Sequence, residues 1–231
     1  MTEILQRFAH AREVFGELTE AELSKFTYRK LRAGDYLIRE GEQAATAFYF
    51  ILSGICVGEA KVAGCADALP AQFVRGDFVG LRELLYNPPL PRGFNIRCKT
   101  SVEVIELPRS EMDNLVRNHP QMPFTIVRSA LSNLFKARDV LANCTSRKTN
   151  FAVAYYLGHL YDIYSTLQPA GYTGAVRIID THKELCSTLG CSKRTVDRYI
   201  AEFAENGMVT LKRGKIHIDA AQRERIAAYI G

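Results

Sequence analysis

The chain has 231 residues, 47% of them hydrophobic, which is enough for one large domain or two modest ones with a buried core. It has no apolar run near the roughly 20 residues of a membrane helix, and its N-terminal stretch MTEILQRFAHARE lacks a signal-peptide centre. We therefore expect a cytoplasmic protein with no membrane partner.

The net charge of +5 is concentrated near the C-terminus. From residue 145 onward, 12 Lys and Arg face 8 Asp and Glu, so +4 of the +5 lies in the last 87 residues. This asymmetry favours a nucleic-acid-binding end attached to a nearly neutral module. A solvated basic surface without a partner is the alternative.

The six cysteines are scattered, with no Cys-x-x-Cys pair and no clustering with histidine. They are Cys56, Cys65, Cys98, Cys144, Cys186 and Cys191. Metal and iron–sulfur sites normally have tighter spacing, so we expect no metal and no iron–sulfur cluster. Several thiols are expected to be small buried residues, while a redox role for one exposed thiol stays open.

The N-terminal half predicts helices followed by many short strands. Residues 2–15 form a helical pattern, and Thr19 with Glu22 has the spacing of a capping box. From residue 28 to 107, apolar runs such as FYFIL alternate with the turns AGD, EGE, SG and RGD, which predicts a small barrel or roll. The five histidines lie outside this segment, so we expect a binding module and not a metal-dependent enzyme.

A long helix is predicted from residue 119 to 145. Val127, Leu134 and Leu141 recur every seven residues over about three heptads, and the intermediate positions are Ala130 or Leu131 and then Ala137 or Arg138. This repeat favours a coiled-coil contact between two subunits. An amphipathic helix packed on its own roll is the alternative.

The C-terminal part predicts two helices joined by a tight turn, after a helix at 149–167 and a strand at 176–179. Thr181 and Glu184 have capping-box spacing, Gly190 ends the first helix, Ser192 caps the second and Gly207 stops it.

The second of these helices predicts one buried face and one basic face. Val196, Ile200 and Phe203 form the apolar stripe. The water-facing positions near the helix start are Lys193, Arg194 and Arg198. Such a helix suits the major groove of DNA, although a plain helical hairpin with a solvated basic face has the same pattern.

Two short β-like runs follow, at residues 208–211 and 215–218, around a turn at Lys212, Arg213 and Gly214. Two helices followed by a hairpin with a basic tip is the order of a winged helix-turn-helix. In such a domain Lys212, Arg213 and Lys215 would lie near the phosphate backbone. A last amphipathic helix is predicted at 220–230.

The segment LCSTLGCSKRTVDRYIAEFAENGMVTLKRGKIHI resembles the DNA-binding end of the cyclic-AMP receptor protein and FNR (CRP/FNR) family of bacterial transcription regulators. AGDYLIREGE, YFILSGICVGEA, VRGDFVGLRELL and RCKTSVEVIEL are similar, in order, to the cyclic-nucleotide-binding roll of that family. The resemblance spans nearly the whole chain and implies an α+β fold. Its parts would be a double-stranded β-helix, or jelly roll, at 1–118, a dimerisation helix at 119–145 and a winged helix-turn-helix at 146–231.

The resemblance also implies an effector site in the roll. Where the family has Gly-Glu and Arg-Ser steps that hold the cyclic phosphate and ribose, this chain has Gly80-Leu81 and Arg92-Gly93. Leu81 cannot accept a hydrogen bond from a ribose hydroxyl, and Gly93 has no hydroxyl. Arg92 retains a guanidinium that could bind an anion, with a structural ion pair as the alternative.

Three further positions bear on the effector. Glu83 is a candidate substitute for the family's glutamate, while Ala137 and Arg138 align with the residues that contact adenine. We therefore expect an unknown small-molecule effector other than cyclic AMP. The candidate effector-binding residues are Gly80, Glu83, Arg92 and Arg138.

For DNA, the resemblance implies a homodimer that reads two half-sites about 34 Å apart and that works with RNA polymerase. The candidate DNA-binding residues are Ser192, Lys193, Arg194, Thr195, Arg198, Lys212, Arg213 and Lys215. Arg194 falls where many relatives carry glutamate, so the half-site is expected to differ from the usual one. Two other functions stay open: a redox or small-anion sensor, and an effector-independent DNA-binding protein with a vestigial roll.

Overall fold

The computed structural model describes residues 1–42, 46–59, 71–82, 91–145 and 148–231. These residues form two compact units, and the boundary between them falls between Phe135 and Lys136. The mixture of helices and strands confirms the expected α+β class. Among the helices in these ranges, none is long and apolar enough to cross a membrane.

The first unit is a roll of two four-stranded sheets with helices at both ends of its sequence. Its leading helices are α1 (Thr2–Arg7), α2 (Ala9–Phe15) and α3 (Glu20–Leu23). Its strands are β1 (Thr27–Leu31), β2 (Tyr36–Ile38), β3 (Ala47–Ser53), β4 (Cys56–Glu59), β5 (Ala71–Phe73), β6 (Phe78–Val79), β7 (Asn95–Cys98) and β8 (Val102–Pro108). The sheets have the strand orders β1-β8-β3-β6 and β2-β7-β4-β5, and all of their pairings are antiparallel.

Strand β3 is buried on both of its faces, which explains its continuous apolar sequence. Phe48, Phe50 and Leu52 belong to the core cluster that includes residues of α1 and α2. Tyr49 and Ile51 point the other way, into the cluster formed with strands of the second sheet. The strand therefore joins the two cores of the roll.

The predicted single helix at residues 2–15 is wrong in one detail, because the chain breaks at Phe8. The backbone of Phe8 is extended, with φ −118° and ψ 97°, and separates α1 from α2. Phe8 is partly buried and packs against the core cluster. The capping box of Thr19 and Glu22 is confirmed.

Helix α4 (Met112–Asn118) leads into the 25-residue helix α5 (Gln121–Thr145). Met122 and Ile126 are buried in the first core cluster near the start of α5. The heptad positions Val127, Leu134 and Leu141 are instead 54%, 62% and 52% exposed. Within one chain, the predicted seam is therefore an open apolar stripe.

The second unit contains the predicted winged domain. Its elements are α6 (Thr149–Ser165), β9 (Val176–Arg177), α7 (His182–Leu189), α8 (Lys193–Glu205), β10 (Thr210–Lys212), β11 (Lys215–Ile218) and α9 (Ala220–Ile230). The three strands form one antiparallel sheet in the order β10-β11-β9. Gly158 on α6 lies under α9, since a Cβ there would approach Ile226 Cγ2 to 3.2 Å.

Strand β10 begins at Thr210, so the prediction that it starts at Met208 is wrong. The N–H groups of Met208 and Val209 donate to the Phe203 carbonyl at 2.8 and 3.3 Å and thereby close the end of α8. Both side chains are buried. Their apolar pattern reflects burial below the end of a helix and not pairing in a strand.

Candidate nucleic-acid interface

The turn between α7 and α8 is built from local signals. Thr181 accepts a hydrogen bond from the Glu184 N–H at 3.2 Å, and the Glu184 carboxylate accepts one from the Thr181 N–H at 2.6 Å. Gly190 has a left-handed backbone, with φ 61°, and the next N–H, of Cys191, donates back to the Cys186 carbonyl at 3.2 Å. This hydrogen bond closes a six-residue turn, Cys186 to Cys191, at the end of α7. Helix α8 begins two residues later, at Lys193.

The orientation of α8 is set by its cap and its apolar face. The Ser192 hydroxyl accepts from the Thr195 N–H at 3.2 Å, which satisfies one of the free donors of the first turn. Val196, Ile200 and Phe203 are at most 1% exposed. Because three consecutive turns are anchored in this way, the opposite face of α8 has to point to water.

That opposite face carries the basic residues. Lys193, Arg194 and Arg198 are exposed, and all three lie in the first two turns of α8. Arg198 stacks on its neighbour, with its Cζ 4.6 Å from the centre of the Tyr199 ring. Lys193 Nζ lies 4.0 Å from Asp197 Oδ2, a weak pairing that leaves its ammonium accessible. The sequence prediction of a basic, solvent-facing helix start is therefore matched by the geometry.

Two polar contacts that sequence reasoning missed hold this helix pair in place. His182 Nδ1 on α7 lies 2.5 Å from Asp197 Oδ1 on α8 and links the two helices across the turn. Tyr164 on α6 donates to the Asp180 carboxylate just before α7, and both residues are buried. Burial is the main reason why the pKa of Tyr164 is raised. Residues 15 or 16 positions apart give no periodic signal, so the sequence offers no way to find either pair.

The hairpin of β10 and β11 presents the predicted basic tip. Lys212 and Lys215 are cross-strand partners, and the two residues between them, Arg213 and Gly214, have φ of 50° and 70°. Positive φ at both central positions is the signature of a type I′ turn. Lys212, Arg213 and Lys215 are exposed, so three cations surround the turn.

Two candidate effector residues of the roll, Gly80 and Arg92, lie close together, and the Arg92 side chain is buried. Arg92 is 4% exposed, and its guanidinium donates to the carbonyl oxygens of Gly80, at 2.8 Å, and of Ala47. Gly80 has φ 83°, and a Cβ there would meet Arg92 Nη1 at 2.8 Å. Leu81 is buried, 8% exposed. Arg92 is thus bonded to the backbone of its own roll.

The other two candidates lie outside the described part of the first unit. Glu83 lies outside the described residues. Arg138 belongs to the second unit, where it is exposed and donates to the Asp139 carboxylate at 2.8 and 3.1 Å. Among the described candidates of the roll, Gly80 and Arg92 are in contact.

The comparisons with known proteins fit both units. Residues 28–119 match the family model of the cyclic nucleotide-binding domain. The chain is 24% identical over 191 residues to the cAMP-activated global transcriptional regulator CRP of Salmonella typhimurium, covering 81% of this chain and 87% of that protein. The chain thus carries a cyclic nucleotide-binding domain and is similar to transcriptional regulators of the CRP/FNR family.

Two solved structures have the same fold as this chain. A CRP/FNR-family regulator from Thermus thermophilus is 22% identical, with a TM-score of 0.66, over 89% of this chain and all of that one. The c-di-GMP-responsive global regulator CLP of Xanthomonas campestris is 18% identical, with a TM-score of 0.65, over 86% of this chain and 96% of that one. At these identities the structural likeness supports the fold alone.

The described cysteines fall into two groups, and Cys65 lies outside the described residues. Cys56 and Cys98 are fully buried cross-strand partners of β4 and β7, and Cys144 is also buried. Cys186 and Cys191 are half-buried at the turn before α8, and burial raises the pKa of both thiols. The expectation that several thiols are small core residues is confirmed.

Proposed function

We propose that this chain is a homodimeric, sequence-specific DNA-binding regulator of transcription, and that its roll responds to an effector other than cyclic AMP. RNA polymerase is part of the same proposal. The observation that carries the proposal is the exposed basic start of α8. A buried apolar stripe and a serine cap fix that helix, while Lys193, Arg194 and Arg198 project from its free face.

Helix α8 can act as a recognition helix because its hydrogen-bond donors, Lys193, Arg194 and Arg198, lie at its N-terminal end. The first turns of a recognition helix are the part that meets base edges in the major groove, and arginine pairs with two acceptors of guanine. Ser192, Thr195 and the tip residues Lys212, Arg213 and Lys215 supply further donors to phosphates. The α8 residues would select the sequence, and the wing residues would hold the register.

The dimer part of the proposal rests on α5. Val127, Leu134 and Leu141 share one stripe at heptad spacing, and Leu131, 46% exposed, extends it. Large apolar side chains at this exposure are costly in water, and a second copy of the same helix would cover them. A Leu134→Lys variant should therefore be monomeric in light scattering at concentrations where the wild type is dimeric. A dimer that survives this change would contradict the α5 seam.

The effector part rests on the inward-facing Arg92. Its donors are engaged by backbone carbonyls, Leu81 offers no acceptor to a ribose, and Gly93 offers no hydroxyl. We expect calorimetry to detect no tight binding of cyclic AMP. The same observation favours a second candidate, an effector-independent regulator with a vestigial roll. That candidate predicts equal operator affinity with and without small-molecule cell extract, whereas the main proposal predicts a difference.

The central experiment is selection of bound duplexes from a random DNA pool. The expected result is a two-fold symmetric site whose half-sites lie about 34 Å apart, one helical turn. Arg198→Ala should then weaken binding to the selected site by about 1–3 kcal/mol and relax the preference at one base pair.

The matched control is Arg117→Ala, the same chemical change at an exposed arginine of α4 in the other unit. It should leave both the affinity and the selected sequence unchanged. Recovery of no preferred sequence by the wild type would overturn the proposal.

A further inference from the structure

The winged sheet has a basic face as well as a basic tip. In antiparallel strands, residues that are direct partners project to the same side, and so do residues two apart. Lys212 pairs with Lys215, and Thr210 pairs with His217, which also pairs with Arg177. These five side chains therefore share one face of the three-stranded sheet.

The opposite face of the sheet is the one that packs against the domain. Val176, Ile216 and Ile218 are at most 2% exposed. Arg177, Lys212 and Lys215 are exposed, and Thr210 and His217 are half-buried. The sheet is thus divided into an apolar inner face and a cationic outer face.

The charges on the outer face are not neutralised locally. Within the ranges that the structure describes, none of Arg177, Lys212 and Lys215 has a carboxylate oxygen within 4.0 Å. Thr210 is engaged, since its hydroxyl accepts from the Gln222 side chain at 2.9 Å. His217 Nδ1 lies 3.1 Å from the Lys215 carbonyl.

The cationic outer face of the sheet extends beyond the turn between β10 and β11. Arg177 lies two strand spacings from β10, roughly 10 Å across the sheet, and one two-residue step, roughly 7 Å, back from the row of Lys212 and Lys215. Three fixed cations spread over such an area match a polyanion with closely spaced charges. Duplex DNA carries one negative charge per roughly 1.7 Å of its axis.

We propose that the outer face of β10, β11 and β9 binds DNA phosphates, and that Arg177 adds one phosphate contact per protomer to those of the tip. The proposal rests on the DNA-binding function proposed above. Arg177 is the residue that separates a face from a tip, because it lies on the strand farthest from the turn. A guanidinium suits the role, since its fork fits two phosphate oxygens.

The test measures how binding depends on salt. The affinity of wild type and Arg177→Gln for the selected duplex, and for a duplex of unrelated sequence, is followed by fluorescence anisotropy from low to high salt. Arg177→Gln should lower the magnitude of the slope of log K against log salt by about 0.9 per protomer. The loss should be similar on both duplexes, because a phosphate contact carries no sequence information.

A charge-conserving variant and a folding control complete the test. Arg177→Lys keeps the charge and should keep the wild-type slope, while thermal melting should show that both variants fold like the wild type. An unchanged slope for Arg177→Gln overturns the proposal. If the slope is unchanged and polymerase-dependent transcription is reduced, the face binds a protein and not DNA. Failure of the proposed function is separate: the wild type would then prefer no sequence, while the slope difference between wild type and Arg177→Gln would still be measurable.

Discussion

Two arginines show how differently the two units use the same side chain. Arg92 in the roll is 4% exposed, and it donates to carbonyl oxygens of its own unit. Arg198 on α8 is exposed and stacks on Tyr199, so its guanidinium remains open to an outside partner. The lesson is that an arginine at a family's binding position identifies a ligand site only if its donors are not already engaged.

The same contrast appears in the apolar patterns. Strand β3 is buried on both faces, because helices cover one side and the second sheet covers the other. Helix α8 is buried along one stripe only, which leaves a complete face for recognition. The roll is therefore organised around its interior and the winged domain around its surface.

The largest expected effect is on the interior of the roll. Phe50→Ala should destabilise the first unit by about 3–5 kcal/mol, because it leaves a cavity beside the rings of Phe15 and Phe78, whose centres lie 5.0 and 4.9 Å from that of Phe50. Urea unfolding followed by circular dichroism measures the loss. Val116→Ala is the control: this side chain on α4 is 41% exposed, and its truncation should change stability by less than about 0.5 kcal/mol. Similar losses from both changes would refute this account of the core.

The next effect separates the two arginines. Arg92→Met keeps the aliphatic length but removes the hydrogen bonds that Arg92 donates to the carbonyls of Gly80 and Ala47, so it should cost about 1–3 kcal/mol of stability. Arg198→Met should leave stability within about 0.5 kcal/mol of the wild type, because that side chain is exposed. Chemical denaturation of both variants checks the prediction. A stable Arg92→Met protein would instead indicate that Arg92 is available for a ligand.

The smallest expected effect is a pH dependence of stability, and it concerns the first unit. Glu22 accepts from His119 at 2.7 Å and from the Thr19 N–H and hydroxyl, and these bonds lower the pKa of Glu22 from 4.5 to about 2, with His119 the largest cause. Because the pKa of Glu22 is lower in the folded state, the ionised carboxylate stabilises the fold at pH values above its ordinary pKa of 4.5. This contribution is lost as the pH falls from about 4.5 towards 2. Glu22→Gln should therefore melt at a lower temperature than the wild type above pH 4.5. The difference between the two melting temperatures should shrink as the pH falls from about 4.5 towards 2. A gap independent of pH would show that Glu22 is not the responsible group.

The local parts of the winged domain could be predicted because their causes lie within a few residues. The capping box at Thr181, the left-handed Gly190 and the cap at Ser192 depend on spacings of three or fewer residues or on one backbone conformation. The start of β10 was mispredicted because alternation of apolar residues cannot distinguish a strand from a segment buried at a helix end. The break at Phe8 was missed for a similar reason, since a helical pattern continues through it.

The sequence alone was sufficient for the α+β class, the order of the roll, long helix and winged domain, and the basic residues at the start of α8. Those features follow from residue spacing and local backbone preference, which act along the chain. Only the tertiary structure decided that Arg92 is bonded to its own roll, that His182 meets Asp197, and that Arg177 shares a face with Lys212 and Lys215. Each of these depends on strand register or helix packing, because contacts between distant segments are set by how buried surfaces fit together.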